Sequence, residues 1–139
     1  MKVREAMAKT FSTASSSDSI ETVARLMVKE DCGFIPIVDA GRLVGVITDR
    51  DIVVKCVSQG QHDVLSMTAG SVMSKDAKTI GPEDTLEEAA HRMARYQVRR
   101  LPVVENGRLV GILSHGNLVQ ALHGQGAAIE ATVGVTVGA

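Results

Sequence analysis

Apolar residues recur along the chain at two spacings, and the longer spacing predicts helices. Residues 20–27 carry apolar side chains at i, i+3, i+4 and i+7, and residues 86–93 repeat the pattern. The two stripes are Ile20, Val23, Ala24 and Met27, and Leu86, Ala89, Ala90 and Met93. The polar pairs Asp18-Ser19 and Asp84-Thr85 stand before them and offer side-chain oxygens to the unpaired amides of a helix start. The pattern therefore predicts two short amphipathic helices.

Two short apolar segments follow each helix and predict a β-hairpin. The first pair, residues 34–38 and 43–47, flanks Ala40-Gly41, and the second pair, residues 101–104 and 109–113, flanks Asn106-Gly107. Asn-Gly between apolar runs is a strong hairpin signal. A proline in the first segment of each pair, Pro36 and Pro102, predicts an edge position or a strand end, since proline cannot donate to a ladder. A second helix is predicted to begin at Thr48 and at Ser114.

The two halves are copies of each other. Sliding the chain by 66 residues aligns residues 3–57 with residues 69–123, and 15 of the 55 pairs are identical, five of them consecutively from Gly41 to Gly45. Each copy is predicted to be a strand–helix–strand–strand–helix unit of α/β (α+β) class. The predicted boundaries are residues 1–57 for the first copy, 58–70 for a linker, 71–123 for the second copy and 124–139 for a Gly/Ala-rich tail. Two alternatives stay open for the tail: a mobile extension, or an added strand through residues 132–137.

Composition narrows the function classes. The chain has 45% hydrophobic residues, a formal net charge of −1 and only three aromatic residues. A buried core is therefore expected, whereas a nucleic-acid partner is not, because such proteins normally carry a basic excess. No apolar run approaches the roughly 18 residues of a membrane span. Neither a metal-ligand cluster nor a nucleophile–base set is visible, so we expect a cytoplasmic protein that is not an enzyme, with no catalytic residues, no metal and no membrane partner.

The repeated motifs resemble a known family, the CBS domain. Each copy combines a methionine near its start (Met7 and Met73, the second within Val-Met), an Asp-(Ser/Thr)-(Leu/Ile)-Glu helix start, a Pro-x-Val segment, Gly-Arg-Leu-Val-Gly and a final (Ser/Thr)-x-x-(Asp/Asn). Two copies in tandem resemble the CBS pair, or Bateman module, and the likeness covers residues 1–123. The resemblance implies copies packed through their sheets with pseudo-two-fold symmetry. It also implies a homodimer of chains, and clefts between paired copies that bind adenosine compounds.

The resemblance also implies a ligand site. Thr48 and Asp51 would meet the phosphate and the ribose, because a carboxylate can accept from both ribose hydroxyls and helix starts favour anions. Arg99 and Arg100 would bind the phosphate, for which the fork of arginine is well suited. The adenine would lie against Thr13 and Ala14 and against Phe34, Ile35 and Pro36. The competing interpretations are plain helix capping by Thr48 and Asp51, and solvated arginines or arginines paired with Glu105.

The equivalent second cleft is predicted to be weaker. Ser114 and Asn117 replace Thr48 and Asp51, and the carboxylate charge is lost. Gly33 and Phe34 stand where the first cleft has its arginines. The remaining residues of this cleft are Thr79, Ile80, Leu101 and Pro102.

Two functions from different classes therefore compete. The leading one is a regulatory module for signal transduction that senses AMP, ADP or ATP without requiring a cofactor, and that acts on an unidentified protein effector. The alternative is a non-catalytic interaction or structural dimer with empty or degenerate clefts.

Overall fold

A computed structural model describes residues 1–123, which divide into two compact units. One unit is Phe11–Ala77, and the other joins Met1–Thr10 to residues 78–123. Both mix helices with antiparallel strands, as the sequence predicted. Within these residues, no helix combines the length and the apolar character that crossing a membrane requires. The two alternatives for the tail concern residues 124–139 and fall outside the described chain.

From the long helix onward, the elements of each copy follow the predicted helix–strand–strand–helix order. They are α1 (Val3–Ala6), α2 (Ile20–Glu30), β1 (Phe34–Asp39), β2 (Arg42–Thr48), α3 (Asp49–Asp51, continued by a π-helix over Ile52–Val57), α4 (Ala69–Val72), α5 (Leu86–Tyr96), β3 (Arg100–Glu105), β4 (Arg108–Ser114) and α6 (His115–Ala121). A 3₁₀ turn, Val64–Ser66, lies in the predicted linker.

The long helices α2 and α5 begin at the predicted caps. The Ser19 hydroxyl accepts from the amide of Thr22, and the Thr85 hydroxyl accepts from the amide of Glu88, each at 3.1 Å. These bonds satisfy amides that the first helical turn leaves unpaired. The aspartate before each cap accepts instead from an amide three residues earlier, at 2.8 Å. Helix α5 buries all four residues of its apolar stripe, while α2 buries Ile20 and Val23 and only partly covers the other two.

The two predicted hairpins are confirmed. Strand β1 pairs antiparallel with β2, and β3 pairs antiparallel with β4, each with one irregularity in the register. The turns place Ala40 and Gly41 at φ 51° and 80°, and Asn106 and Gly107 at φ 53° and 80°. Two successive positive φ values match the right-handed twist of the flanking strands, so these turns close the hairpins without splaying them.

The strand predicted at the start of each copy is reduced to a single parallel bridge. Ala14 bridges to Ile37, and Ile80 bridges to Val103. Pro36 lies opposite Val46 in the middle of β1, and the other side of the strand receives only the bridge at Ala14. In the first hairpin the proline therefore has the predicted edge position. An edge strand tolerates proline because the missing N–H donor is not needed there.

The leading segment of each copy folds with the other copy. Ala8 exchanges two backbone hydrogen bonds with Ile112 (2.8 and 3.0 Å), and Ser74 exchanges two with Val46 (2.9 and 3.0 Å). Helix α1 thus belongs to the unit of the second copy, and α4 belongs to the unit of the first. The predicted boundaries at residues 57 and 71 divide the sequence into repeats, whereas the compact units divide the chain at Thr10 and Ala77.

These exchanged segments need a glycine in the strand that receives them. A Cβ at Gly45 would stand 2.7 Å from the Met73 sulfur and 2.9 Å from the carbonyl oxygen of Ser74. A Cβ at Gly111 would stand 2.9 Å from Cγ of Met7 and 3.0 Å from the carbonyl oxygen of Ala8. Both positions lie in the shared Gly-Arg-Leu-Val-Gly motif. The repeated glycine therefore lets a second backbone approach the strand closely.

We expect Gly45→Ala and Gly111→Ala each to lower the free energy of unfolding by about 1–3 kcal/mol, since a methyl group must displace backbone. Gly116→Ala is the control, because it lies in α6 with its nearest atom 3.7 Å away; this change should raise stability by up to about 1 kcal/mol. Urea unfolding followed by circular dichroism measures all three. Equal stability of Gly45→Ala and the wild type would contradict the close approach.

Candidate functional site

The strand-to-helix junction of the first copy is closed by two reciprocal hydrogen bonds. The Thr48 hydroxyl accepts from the amide of Asp51 at 3.1 Å, and Oδ2 of Asp51 accepts from the amide of Thr48 at 2.9 Å. Helix α3 starts directly after β2, so no loop separates the last strand residue from the cap. Thr48 and Asp51 therefore form a helix cap, and this cap uses only one of the two carboxylate oxygens of Asp51.

The second oxygen of Asp51 faces a lysine. Oδ1 lies 3.4 Å from Nζ of Lys55, one turn along the helix, and the Asp51 side chain keeps only 16% of its exposure. The same Nζ donates to the carbonyl of Val72 at 3.0 Å and to the hydroxyl of Ser74 at 3.1 Å. The two hydrogen bonds are shorter than the ion pair, so α4 and the residues after it hold the lysine more closely than Asp51 does. Sequence reasoning missed Lys55, although the i, i+4 spacing from Asp51 was a usable signal.

The predicted adenine segments lie in the same unit as Thr48. The amide of Ala14 donates to the carbonyl of Pro36 at 3.1 Å, and Phe34 is the register partner of Thr48. The side chains of Ala14 and Ile35 are 4% and 1% exposed and belong to the hydrophobic core. Ala14 and Ile35 can therefore offer a ligand only main-chain groups. Among these segments, Thr13 is exposed and Phe34 is half-buried.

The predicted phosphate ligands belong to the other unit. Arg99 is exposed, and its carbonyl accepts from the amide of His115 at 2.7 Å. Arg100 begins β3, where it pairs with Ser114. Within residues 1–123 neither guanidinium makes a hydrogen bond or an ion pair, so the pairing with Glu105 considered above is not observed. Their role toward a phosphate stays a prediction.

The junction of the second copy repeats the geometry without the charge. The Ser114 hydroxyl accepts from the amide of Asn117 at 3.0 Å, and Oδ1 of Asn117 accepts from the amide of Ser114 at 3.1 Å. One helical turn further on, Ala121 stands where the first copy has Lys55. The side-chain oxygen of Asn117 is thus committed to the cap, and its other polar atom is an amide donor.

The remaining residues of the predicted second cleft lie together at the start of β3. Ile80 donates to the carbonyl of Pro102 at 3.0 Å, and the carbonyl of Ile80 accepts from Val104 at 2.9 Å. The side chains of Ile80 and Leu101 are fully buried. As in the first copy, apolar side chains here serve the core.

Arg92 is a second functional candidate that sequence reasoning missed. Its guanidinium donates to the carbonyl of Thr79 at 2.6 Å and pairs with Glu88 at 3.0 Å. The equivalent residue of the first copy is Leu26, so the exchange of an apolar residue for arginine was the available signal. The second cleft therefore does contain a cation, and that cation donates to the carbonyl of Thr79, a residue predicted to line this cleft.

No group of three or more His, Cys, Asp or Glu side chains in residues 1–123 is placed to hold a metal ion. The chemistry available at the first junction is thus that of a carboxylate, a hydroxyl and a lysine on a rigid turn. Such groups bind hydroxyls and anions by hydrogen bonds and charge.

Comparison with known proteins agrees with the repeat. A family model of the CBS domain matches residues 3–57 and again residues 69–124. The CBS domain-containing protein YhcV of Bacillus subtilis is 37% identical over 116 residues, which cover 84% of this chain and 81% of that protein. Hypoxic response protein 1 of Mycobacterium tuberculosis is 32% identical over 120 residues, which cover 86% and 83% respectively.

Two solved structures with bound adenosine compounds share the fold. CBSX2 in complex with AMP is 28% identical, with a TM-score of 0.75 over 86% of this chain and 94% of that chain. The CBS domain pair of protein MJ0100, in complex with 5′-methylthioadenosine and S-adenosyl-L-methionine, is 28% identical, with a TM-score of 0.75 over 87% and 98%. Since the two matches of the family model together cover most of the chain, the protein belongs to the CBS-domain family and carries two CBS domains in tandem.

Proposed function

We propose that this CBS pair is a regulatory module that binds an adenosine nucleotide through the carboxylate of Asp51. One observation carries the proposal: the capping box uses only Oδ2 of Asp51, whereas Oδ1 lies 3.4 Å from Nζ of Lys55 on a side chain that is still 16% exposed. A carboxylate oxygen has two lone pairs, so Oδ1 can accept from ribose hydroxyls while Lys55 stays in place. Charge-assisted bonds of this kind are roughly twice as strong as neutral ones.

Thr48 adds a donor at the same junction. Its oxygen accepts from the amide of Asp51, which leaves its own O–H free to donate to an oxygen of the ligand. Thr13 and Phe34 lie in the same unit and offer an exposed hydroxyl and a half-buried ring for the base. The proposed half-site thus combines a ribose acceptor, a hydroxyl donor and an apolar surface.

The phosphate is assigned to Arg99 and Arg100. Two guanidinium groups without an ion pair in the described residues are available to an anion, and arginine forks onto phosphate in bidentate geometry. The second copy has no equivalent set, because Asn117 is neutral and Arg92 is engaged by Thr79 and Glu88. We therefore propose one strong site in each chain.

The comparisons support adenosine as the common part of the ligand. One structural relative holds AMP, and another holds 5′-methylthioadenosine and S-adenosyl-L-methionine. We propose that occupancy shifts the conformational equilibrium of a homodimer, and thereby its contact with a protein effector, rather than driving a reaction. Such a shift requires unequal affinity of the ligand for the two states.

One observation favours the competing function, a structural dimer with empty clefts. The reciprocal cap at Thr48 and Asp51 is also formed by Ser114 and Asn117, so capping alone explains why these positions are polar. A thermal-shift panel of adenosine, AMP, ATP and S-adenosylmethionine separates the two functions. Stabilisation by a compound at micromolar concentration supports sensing, and a flat panel supports the structural dimer.

We expect Asp51→Asn to weaken AMP binding by about 10- to 100-fold, because it removes the charge from the ribose acceptor. Asparagine retains an acceptor for the cap, as Asn117 shows in the second copy, so the junction should stay folded. Calorimetric titration with AMP gives the affinities. Asp63→Asn is the matched control, because it removes the same charge from an exposed residue of the same unit and should leave AMP affinity within about twofold. Equal affinity of Asp51→Asn and wild type would contradict the assignment.

We expect Arg99→Ala and Arg100→Ala to weaken AMP binding by about tenfold each and to leave adenosine binding unchanged, since only AMP carries the phosphate. Arg25→Ala removes an exposed arginine from α2 and is the control for net charge. The ratio of the AMP and adenosine dissociation constants is the measurement. A ratio that does not change in either variant would remove these arginines from the site.

A further inference from the structure

The contacts of Lys55 distinguish the first copy from the second. Its ammonium group joins three partners from two parts of the unit: Oδ1 of Asp51 at 3.4 Å, the carbonyl of Val72 at 3.0 Å and the hydroxyl of Ser74 at 3.1 Å. The equivalent positions in the second copy are Ala121, Asn117, Ala6 and Ala8. None of those side chains can form an ion pair, so the arrangement belongs to the first copy alone.

The segment that Lys55 reaches is firmly placed. Ser74 exchanges two backbone hydrogen bonds with Val46 of β2, and the amide of Met73 donates to the carbonyl of Ala69 at 2.9 Å. Val72 is 2% exposed. The chain then leaves this unit after Ala77 and enters the other one. Residues 69–74 are therefore a fixed support for the lysine and, at the same time, the last part of this unit before the chain crosses.

We propose that Lys55 is a positioning residue for the Asp51 carboxylate that binds the ligand. Through Lys55, ligand binding at Asp51 is coupled to the placement of residues 69–74. This inference rests on the proposed function. The amide of Thr48 holds Oδ2 on one side, and the lysine charge holds Oδ1 on the other, so the carboxylate plane is fixed before a ribose arrives. Preorganisation of this kind raises affinity because less freedom is lost on binding.

The coupling works in both directions. If the bond from Lys55 to Ser74 helps to place Asp51 for the ligand, then the bound ligand must stabilise the placement of residues 69–74 by the same factor. The amides of Met73 and Ser74 report on this segment, because each donates to a backbone carbonyl within the unit. A bound ligand should therefore slow their hydrogen exchange.

A double-mutant cycle tests the positioning role. Lys55→Met, Asp51→Asn and the double variant are titrated with adenosine and with AMP, and thermal unfolding is recorded for each. We expect Lys55→Met to weaken both ligands by the same factor, about 3- to 10-fold, and to have no further effect once Asp51 is Asn. Additive effects would show that Lys55 acts independently of Asp51 and would overturn the proposal. A loss confined to AMP would make Lys55 a phosphate contact, which also overturns it.

Serine variants test the coupling between the ligand site and residues 69–74. They provide an independent test if Lys55→Met does not fold. Ser74→Ala should weaken both ligands in the same direction as Lys55→Met, and only while Lys55 is present. Ser71→Ala is the matched control, since the Ser71 hydroxyl donates to the carbonyl of Thr68 and does not reach Lys55.

Hydrogen exchange gives a second test of the coupling. AMP should slow the hydrogen exchange of the Met73 and Ser74 amides in wild type and in Ser71→Ala but not in Lys55→Met. Equal slowing in all three proteins overturns the coupling. If wild type binds neither adenosine nor AMP, the proposed function fails and this inference fails with it.

Discussion

The reciprocal hydrogen bonds at each strand-to-helix junction determine where the polar chemistry of this protein lies. Because β2 ends in the cap of α3, the third helical residue must turn its side chain back toward the strand. In the first copy that residue is Asp51, so one carboxylate oxygen is used by the backbone and the other is directed away from it. The junction of β4 and α6 imposes the same geometry on Asn117. The fold thus supplies the position, and the residue type decides what the position can bind.

Much of this architecture follows from local patterns in the sequence. The apolar stripes predicted α2 and α5, and the turns at Ala40-Gly41 and Asn106-Gly107 predicted both hairpins, because period and turn chemistry are set by neighbouring residues. The exchange of leading segments could not be predicted in this way. Residues 3–10 and 69–76 align with each other and both carry an apolar methionine, so the local pattern fits either copy equally well. The sequence also does not predict that Ile52–Val57 forms a π-helix, because the equivalent part of the second copy is α-helical.

The candidate site was only half visible from sequence. Thr48 and Asp51 could be found because capping and ribose binding favour the same residue types at the same spacing. The carbonyl contacts of Lys55 and Arg92 could not be found, since each side chain reaches a carbonyl 13 or more residues away that carries no sequence signal. These two residues also show how the copies have diverged. In the first copy a cation joins the junction to α4, and in the second copy a cation covers the carbonyl of Thr79.

The exchange of leading segments has a consequence for how the protein is made. Synthesis proceeds from the amino terminus, and domains generally fold as units as they emerge. Everything that the Phe11–Ala77 unit requires is present once residue 77 has left the ribosome. Met1–Thr10, although made before that unit, must wait for its partner strand until residue 112 has been added. This segment is therefore synthesised early but is among the last to reach its native contacts, and during translation its apolar residues, Val3 and Met7, remain without the core that finally covers them.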